Sequence, residues 1–586
     1  MEIAFVLLLT ILSIVFFVSD LLRADVVALL IMGTVLVTGL CTPEEALSGF
    51  SNRATVTVAA MFVLSAGLES TGALKPLSKF LGRMIRTRGP LLALTVTSLL
   101  TGLVSAFINN TAAVAILLPV VMSATRRAKV GPSKYLMAIS FVSMAGGTMT
   151  LFGTSTNLLV NSEAVAAGEP EFSLFEFLPL GVVLLLISVF YMSVVGKRLL
   201  PDRRPPADLT TDFELGPYLR TLKVSPGGVS DKLALQDSAL NRLEGDILGL
   251  KRHHQPRSAA ADFQLEPDDE ITVRLDDPRT LDNQDDELGV TVESRALQDS
   301  DLENDSSLLV EAGVASNIEG STLKSSDVKR SFQAVPLAVN RKGKVRHRNL
   351  EELRLRNGDT ILFKVQKDNL NQLRLSKNFI ILSEEDQLQN EKRWRLAVAI
   401  MLGVILAAST SLLPVVTAAS VGSIAMILTG CLSIEKAYKA IDWKVIMLLA
   451  GMLSLGQAMT QTGTAQFAAR ELMSVLRDTG PYVALAVIYT VTTLMTAAMS
   501  NNATAVILSP VAISVAESLA VSPRPFLVAV AFAASACFAS PVGYQTNVMI
   551  YGPGRFRFRD FLLVGGPLNI IFLAVSVYLI PKIWGF

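Results

Sequence analysis

The chain is short of the side chains on which most protein chemistry depends. Only three of its 586 residues are cysteine, three are histidine and three tryptophan. Cys41, Cys431 and Cys537 all lie in apolar stretches, which excludes a disulfide scaffold and a cysteine-rich metal cluster. His253, His254 and His347 fall in one polar stretch of the middle, so the rest of the chain can hold neither a zincin motif nor an imidazole-based triad. An excess of one charge is missing too: Lys+Arg 52 against Asp+Glu 51 leaves a formal charge of +1, which gives a nucleic-acid partner no electrostatic support. What is abundant is apolar surface. Hydrophobic residues make up 51% of the chain and charged ones 18%, and the mean hydropathy of +0.47 lies outside soluble usage. The length also exceeds a single folding unit.

The apolar residues are not evenly spread. Runs of membrane-crossing length, about 20 helical residues for a hydrocarbon layer of ~30 Å, fill residues 1–204 and return in 392–586. The predicted spans in the first part are 2–20, 24–41, 54–72, a block 89–125, a block 134–162, and 175–198. In the second part they are 394–412, 415–431, 443–463, blocks 481–516 and 524–552, and 560–583. Between the two lies a charged, soluble insert.

Basic residues mark the cytoplasmic side. Lys75, Lys79, Arg83, Arg86 and Arg88 precede the 89–125 block, and Arg126, Arg127, Lys129 and Lys134 follow it, so both ends of that block lie inside and it must be a re-entrant hairpin. The opposite loop, "SEAVAAGEPEF", is acidic. This pattern predicts a multi-pass protein of the cell or inner membrane, with a cytoplasmic insert and both termini outside.

The two membrane parts are copies of each other. "GLCTPEEALSGF" aligns with "GCLSIEKAYKAI", placing Gly39 on Gly430, and Gly72 falls on Gly463, all at a shift of 391. "INNTAAVAILLP" faces "SNNATAVILSP", and "GTSTNLL" faces "GYQTNVM" with Asn157 on Asn547. Five spans plus one hairpin in each copy turn the second upside down, giving the inverted repeat of secondary transporters.

Backbone inside lipid must be satisfied, so broken helices belong to buried or wet cavities. Asn109, Asn110 and Thr111 occupy the expected tip of the first hairpin, and Ser500, Asn501, Asn502 and Thr504 that of the second. Free helix N-termini with amides and hydroxyls would bind an anion without a formal charge. "GGTMTLFGTSTN" and "FASPVGYQTN" are too rich in Gly, Pro, Ser and Thr to continue as helix. Exposed carbonyls there, with Gly153, Thr154, Ser155, Thr156 and Asn157 or Gly543, Tyr544, Gln545, Thr546 and Asn547, offer the hard oxygens Na⁺ prefers. The hairpin blocks and breaks as delimited contain no Asp, Glu, Lys, Arg or His in their membrane parts. That argues against a proton relay and for Na⁺ symport, with Glu69 the remaining candidate proton site.

These motifs resemble the divalent-anion/sodium symporter family, solute carrier family 13, within the ion transporter superfamily. The resemblance covers both membrane parts. It implies a homodimer of scaffold and transport domains working as an elevator. It also implies that Asn109, Asn110, Thr111, Gly153, Thr154 and Asn157 form a first site, and Ser500, Asn501, Asn502, Gly543 and Asn547 a second. Of these residues and their neighbours, Asn110, Gly153, Thr156, Asn157, Asn502, Gly543 and Asn547 are the expected Na⁺ ligands. The substrate is expected on Asn109, Asn110, Thr111, Thr154, Ser155, Ser500, Asn501, Asn502, Thr504, Tyr544, Gln545 and Thr546. The family's Ser-Asn-Thr tip reads Ile108-Asn109-Asn110-Thr111 in the first part and Ser500-Asn501-Asn502-Ala503 in the second, and its Thr-Pro after each break reads Thr154-Ser155 and Tyr544-Gln545.

The insert repeats as well: "LEPDDEITVRL" and "LRNGDTILFKV" pair Leu265 with Leu355, Asp269 with Asp359 and Ile271 with Ile361 at a shift of 90. Each copy, 205–292 and 293–391, reads as a small α/β unit resembling the C-terminal regulatory domain of TrkA-type potassium-transport proteins. Such a domain implies dimerisation and a small-molecule or nucleotide ligand; no glycine-rich dinucleotide fingerprint is present in the insert itself. The expected function is Na⁺-coupled uptake of a divalent anion, sulfate first, regulated by the insert. A di- or tricarboxylate carrier is the alternative, and a gated anion channel or membrane sulfur-status sensor the reading from another class. The membrane parts hold no acid, base and nucleophile set, so an enzyme is not expected.

Overall fold

The computed structural model describes the chain except residues 1, 20, 129, 201–208, 239, 241–244, 253–254, 258–262, 282–287, 294–296, 298, 304–306, 315–317, 326–327, 329–331, 342–343, 357, 377, 383–392, 411, 477–479 and 542. His253 and His254 lie outside the described residues, as do the boundaries drawn at 204/205 and 391/392.

Among the described residues, the helices before the insert are α1 (Glu2–Ser19), α2 (Ala24–Thr38), α3 (Pro43–Ser51), α4 (Arg53–Ser70), α5 (Lys75–Thr87), α6 (Pro90–Ser105), α7 (Asn110–Arg127), α8 (Ser133–Gly147), α9 (Ser155–Ala166) and α10 (Leu178–Tyr191), the last continued through a π-helical turn, Met192–Gly196, to Leu199. Leaving the insert's short turns unlabelled, those after it are α11 (Trp394–Ser409), α12 (Val415–Leu428), α13 (Ile434–Ala440), α14 (Trp443–Gln461), α15 (Thr464–Leu476), α16 (Pro481–Ala498), α17 (Asn501–Ser518), α18 (Arg524–Ser535), α19 (Gln545–Tyr551) and α20 (Phe558–Trp584). Among the described residues, five helical stretches are long and apolar enough to cross a membrane: Pro43–Ser70, Leu178–Leu199, Trp443–Gln461, Pro481–Ala498 and Phe558–Trp584.

Local chemistry starts and stops these helices at matching places. Gly39 and Gly430 take φ of 69° and 66° after α2 and α12, and Gly72 and Gly463 take 69° and 74° after α4 and α14, a region that favours glycine. Thr42 caps α3 with Glu45 answering in a capping box, and the Ser433 hydroxyl accepts from the Lys436 N–H at the start of α13. Asn52 caps α4 and Asp442 caps α14. The stretches after the third span in each part, read from sequence as loops, are the helices α5 and α15. Leu81 and Ile85, four residues apart, are buried on α5, as are Ala465 and Ala469 on α15.

The helices gather in two groups joined by α14 on α17 and α4 on α9. α2 and α3 lie on α14, α4 on α12, and α11 on α12. The other group gathers α6 to α10 with α16 to α20, α8 lying on α6 and α18 on α16. Bare glycine lets α8 and α6 touch: a Cβ on Gly146 would run into the Gly102 carbonyl.

Where two small α/β units were expected, the insert is two antiparallel sheets with little helix, its longest described helix being Leu370–Leu375. Strands β1 (Leu219–Val224), β2 (Gly245–Arg252), β3 (Gln255–Arg257), β4 (Glu270–Leu275) and β5 (Val290–Glu293) form the first, ordered β3-β2-β4-β1-β5. β6 (Ser307–Val314), β7 (Ala334–Arg341), β8 (Lys344–Arg346), β9 (Thr360–Gln366) and β10 (Phe379–Ile381) form the second, ordered β10-β6-β9-β7-β8, the same sequence of places read from the other edge. One ion pair recurs in both. Asp269 takes Arg252 and the Glu266 N–H, while Asp359 takes Arg341 and the Arg356 N–H, and each arginine also donates to a carbonyl, that of Gln264 or Arg354. These aspartates are buried, so the guanidinium supplies the compensating charge; the same hydrogen bonds hold both arginines above their usual pKa.

The sheets meet across Leu219, Leu248, Leu309, Leu337 and Leu362. Arg274 donates to the His347 carbonyl at 2.9 Å, and Lys364 to the Leu248 carbonyl at 2.7 Å. Burial pushes the Lys364 ammonium down to about 8, helped by the charge of Lys251. His347 stacks on Tyr218 at 3.9 Å, its Nε2 lies 2.8 Å from the Phe213 carbonyl, and burial lowers its pKa.

Candidate functional site

Four interruptions of the apolar helices converge. Residues 106–109 turn α6 into α7, residues 499–500 turn α16 into α17, 148–154 separate α8 from α9, and 536–544 separate α18 from α19. Each lies where Asn, Gly, Pro or Ser weakens the helix.

Hydrogen bonds join each tip to the break of the other half. Asn110 Nδ2 donates to the Tyr544 hydroxyl at 2.6 Å, and the Thr111 hydroxyl to Gln545 Oε1 at 3.0 Å. On the other side the Ser155 hydroxyl donates to Asn502 Oδ1 at 2.7 Å. Thr156 and Ser535 share a hydrogen bond of 2.6 Å. Ser140 of α8 reaches both Asn547 Oδ1 at 2.7 Å and the Thr546 hydroxyl at 2.9 Å. Asn109 is turned to its own helix, its Oδ1 accepting from the Thr111 N–H at 2.9 Å.

The two breaks are stitched alike. Asn157 Nδ2 donates to the carbonyls of Thr148 and Thr150, and Asn547 Nδ2 to those of Cys537 and Ser540. Gly153 and Gly543 permit close folding: a Cβ on the first would strike the Gly147 carbonyl, and on the second the Thr496 carbonyl and Cys537 Sγ. One acceptor is left over. Asn157 Oδ1 is fully buried and has no hydrogen-bond partner among the described residues, a state that carries a desolvation penalty unless a cation or water fills it. The asparagine amide and neighbouring carbonyls therefore fit a Na⁺ ion, which here would be cargo.

Exposure sorts the remaining residues. Gln545 is exposed, and Asn109, Thr111, Ser155, Ser500 and Asn501 are partly so, forming a polar rim. Thr154, Thr156, Asn157, Asn502, Thr504, Tyr544, Thr546 and Asn547 are buried behind it. Thr154 and Thr546, expected on the substrate side, direct their hydroxyls to Thr156 and Ser140, and the Thr504 hydroxyl bonds the Ser500 carbonyl. Ser105, Ser140 and Ser535 are site residues that sequence reading missed, because a lone serine in an apolar helix carries no signal. No charged side chain enters this network of hydrogen bonds among the described residues.

Glu163 corrects the reading of the acidic stretch "SEAVAAGEPEF" as loop. α9 runs on to Ala166 and Glu163 is buried within it, whereas Glu69 is exposed at the end of α4. The segment beginning at the first break thus does hold an ionisable residue.

A bundle of apolar helices folded around neutral, oxygen-rich chain breaks is that of a multi-pass membrane transporter. The family model described as citrate transporter (CitMHS) matches residues 14–520 and 499–585, and the chain belongs to that family. It is 34% identical to the uncharacterized transporter sll0640 of Synechocystis over 98% of this chain and 96% of that one. It is 30% identical to the uncharacterized transporter YfbS of Escherichia coli over the full length of both. It is also 29% identical to the sodium/sulfate cotransporter 2 of Chlamydomonas reinhardtii, over 46% of this chain and 32% of that protein.

Proposed function

We propose that the protein is a Na⁺-coupled secondary transporter that takes up a divalent anion, sulfate first, through an elevator movement of α6 to α10 with α16 to α20 against the other helix group. The observation that carries this reading is the uncharged site: amides, hydroxyls and helix N-termini suit an anion, and the orphaned Asn157 Oδ1 suits its sodium counter-ion. Charge compensation between bound anion and bound cations couples the two without any titratable ligand. The relative named for sodium/sulfate cotransport favours sulfate. A di- or tricarboxylate is the second reading, favoured by the family's own description. The halves act as inverted repeats with both termini outside, in a homodimer.

In this reading the insert is cytoplasmic and regulatory, two TrkA-type domains at about 205–292 and 293–391. Its second sheet has the means: Ile380 and Leu382 pack into the main helical core, β10 meets α7, and the Gly358 turn abuts α19. α7 begins at Asn110 and α19 at Gln545, so both helices carry rim or site residues. Proteoliposomes test the proposal. Accumulation of labelled sulfate against its gradient only with Na⁺ supports it; accumulation of citrate instead moves it to the second reading; downhill leak without coupling makes the protein a channel.

A further inference from the structure

Glu163 differs from the other buried carboxylate of the helical part. Asp560 accepts the Arg557 N–H at 2.6 Å at the start of α20. Glu163 is only 8% exposed, and among the described residues its carboxyl group has no hydrogen-bond or ion-pair partner. Its position is a seam. α9 packs against α17 and α18 of its own group and against α4 of the other. Facing it is Gly456 of α14, where a Cβ would stand 3.2 Å from Oε1 and 3.6 Å from Oε2, with Val506 of α17 at 3.6 Å from the same point.

Charges on the surrounding elements do not compensate it. On α4, Arg53 turns to Glu171 at 3.9 Å. Glu69 is sixteen positions further along α4, about 24 Å of helix. On α18, Arg524 grips Glu176 at 2.6 Å and lies over Phe172. On α14, Lys444 is twelve positions from Gly456, about 18 Å. On α17, Glu517 is exposed, about 16 Å of helix beyond Val506. Glu169 and Glu171 follow α9 and carry the same sign.

An ionised carboxylate here would be buried without a partner, which costs several kcal/mol. A sodium ion would need several oxygens, and glycine and valine offer none from their side chains. The one cation that needs no further ligand is the proton. We propose that Glu163 is a proton-binding site at the seam between the two helix groups. The carboxyl is neutral while the seam is closed, and releases its proton when the groups separate and water enters. This rests on the transporter reading, and it adds a pH control that the uncharged substrate site cannot supply.

The test uses the full chain in lipid vesicles, wild type and Glu163→Gln, over a range of pH. Infrared spectra should show a carboxylic-acid band that persists through neutral pH and is missing in Glu163→Gln. Amide exchange in α9, corrected for the chemical rate, should rise roughly tenfold per pH unit from above the ordinary carboxylate range up to the point where that band is lost, and level off beyond it. In Glu163→Gln it should stay flat. A Glu163 ionised at neutral pH overturns the proposal, as does an unchanged pH profile in the variant. Should Glu163→Gln not assemble, the wild-type series decides alone: exchange that ignores the loss of the band overturns it. Absence of sulfate or citrate uptake at every pH would sink the transporter reading but leave both spectroscopic results standing.

Discussion

Replacing Gly358 by alanine should loosen the insert from the site helices. Gly358 has φ +87°, and a Cβ there would sit 2.9 Å from the Val548 carbonyl oxygen on α19. Alanine in the left-handed region costs about 1–2 kcal/mol, and the contact demands a further shift of a few tenths of an ångström. The turn cannot slide away freely, because the next residue, Asp359, is pinned by Arg341 and by the Arg356 N–H. A local cost of about 2 kcal/mol raises the undocked population roughly thirtyfold, since 1.36 kcal/mol is a factor of ten. Amide exchange in Gln545–Tyr551 of the full chain in lipid should accelerate by about that factor. Gly227→Ala is the control: it has φ +72° with nothing within 4 Å, so it imposes the same backbone strain without a contact on the helices. If both variants leave α19 equally protected while the Gly358 turn itself opens, the insert does not hold that helix and the proposed route of regulation fails.

Asn110→Ala removes the donor to Tyr544 and the acceptor of the Ser105 hydroxyl, and Asn502→Ala orphans Ser155; each should abolish Na⁺-driven uptake in proteoliposomes while the protein still assembles, and near-normal uptake by both would refute the site. Lys364→Met removes an ammonium whose pKa falls from about 10.4 to about 8. The unfolded chain binds the proton more tightly, so the penalty is full below pH 8 and fades as pH rises to about 10.4. The shift is worth roughly 3 kcal/mol, less about 1 for the lost hydrogen bond; denaturation of the full chain should show the variant more stable at pH 7 and the advantage gone near pH 10. Arg341→Ala leaves Asp359 buried and unpaired and should destabilise the second sheet by about 3–5 kcal/mol, with Arg341→Met/Asp359→Leu losing distinctly less in the same measurement.

The places where the chain breaks were legible in the sequence because glycine, proline and asparagine act locally: Gly153 and Gly543 sit in the breaks, and Asn110 and Asn501 open helices. The positions of the caps and left-handed glycines are local in the same sense. What the breaks touch was not legible. Ser140 bonds Thr546 and Asn547 more than four hundred positions away, and nothing in "LMAISFVSM" distinguishes it from a serine that bonds its own helix, as Ser143 does to the Ser140 carbonyl. α5 and α15 were hidden by their charge, which reads as loop until alternate turns are seen to bury Leu81 and Ile85 or Ala465 and Ala469.

Glu163 shows why the misreading matters for mechanism. Within "SEAVAAGEPEF" it is one of three glutamates, and composition assigns all three to water. The other two obey, as does Glu176 just beyond: Glu169 is partly exposed, Glu171 meets Arg53, and Glu176 meets Arg524. The helix ends three residues after Glu163, and those three decide its environment, because one more turn of α9 carries the carboxyl into the seam with α4 and α14. Glu163 therefore places a buried titratable group in a helical part whose breaks and tips are otherwise uncharged. The proposed anion site stays uncharged, so the sodium reading of Asn157 and the proton reading of Glu163 apply to different places and can be separated by two variants. Asn157→Ala should change the sodium dependence of uptake and leave its pH dependence, while Glu163→Gln should do the reverse. A variant pair that shifted both dependences together would mean that one cation site serves both ions.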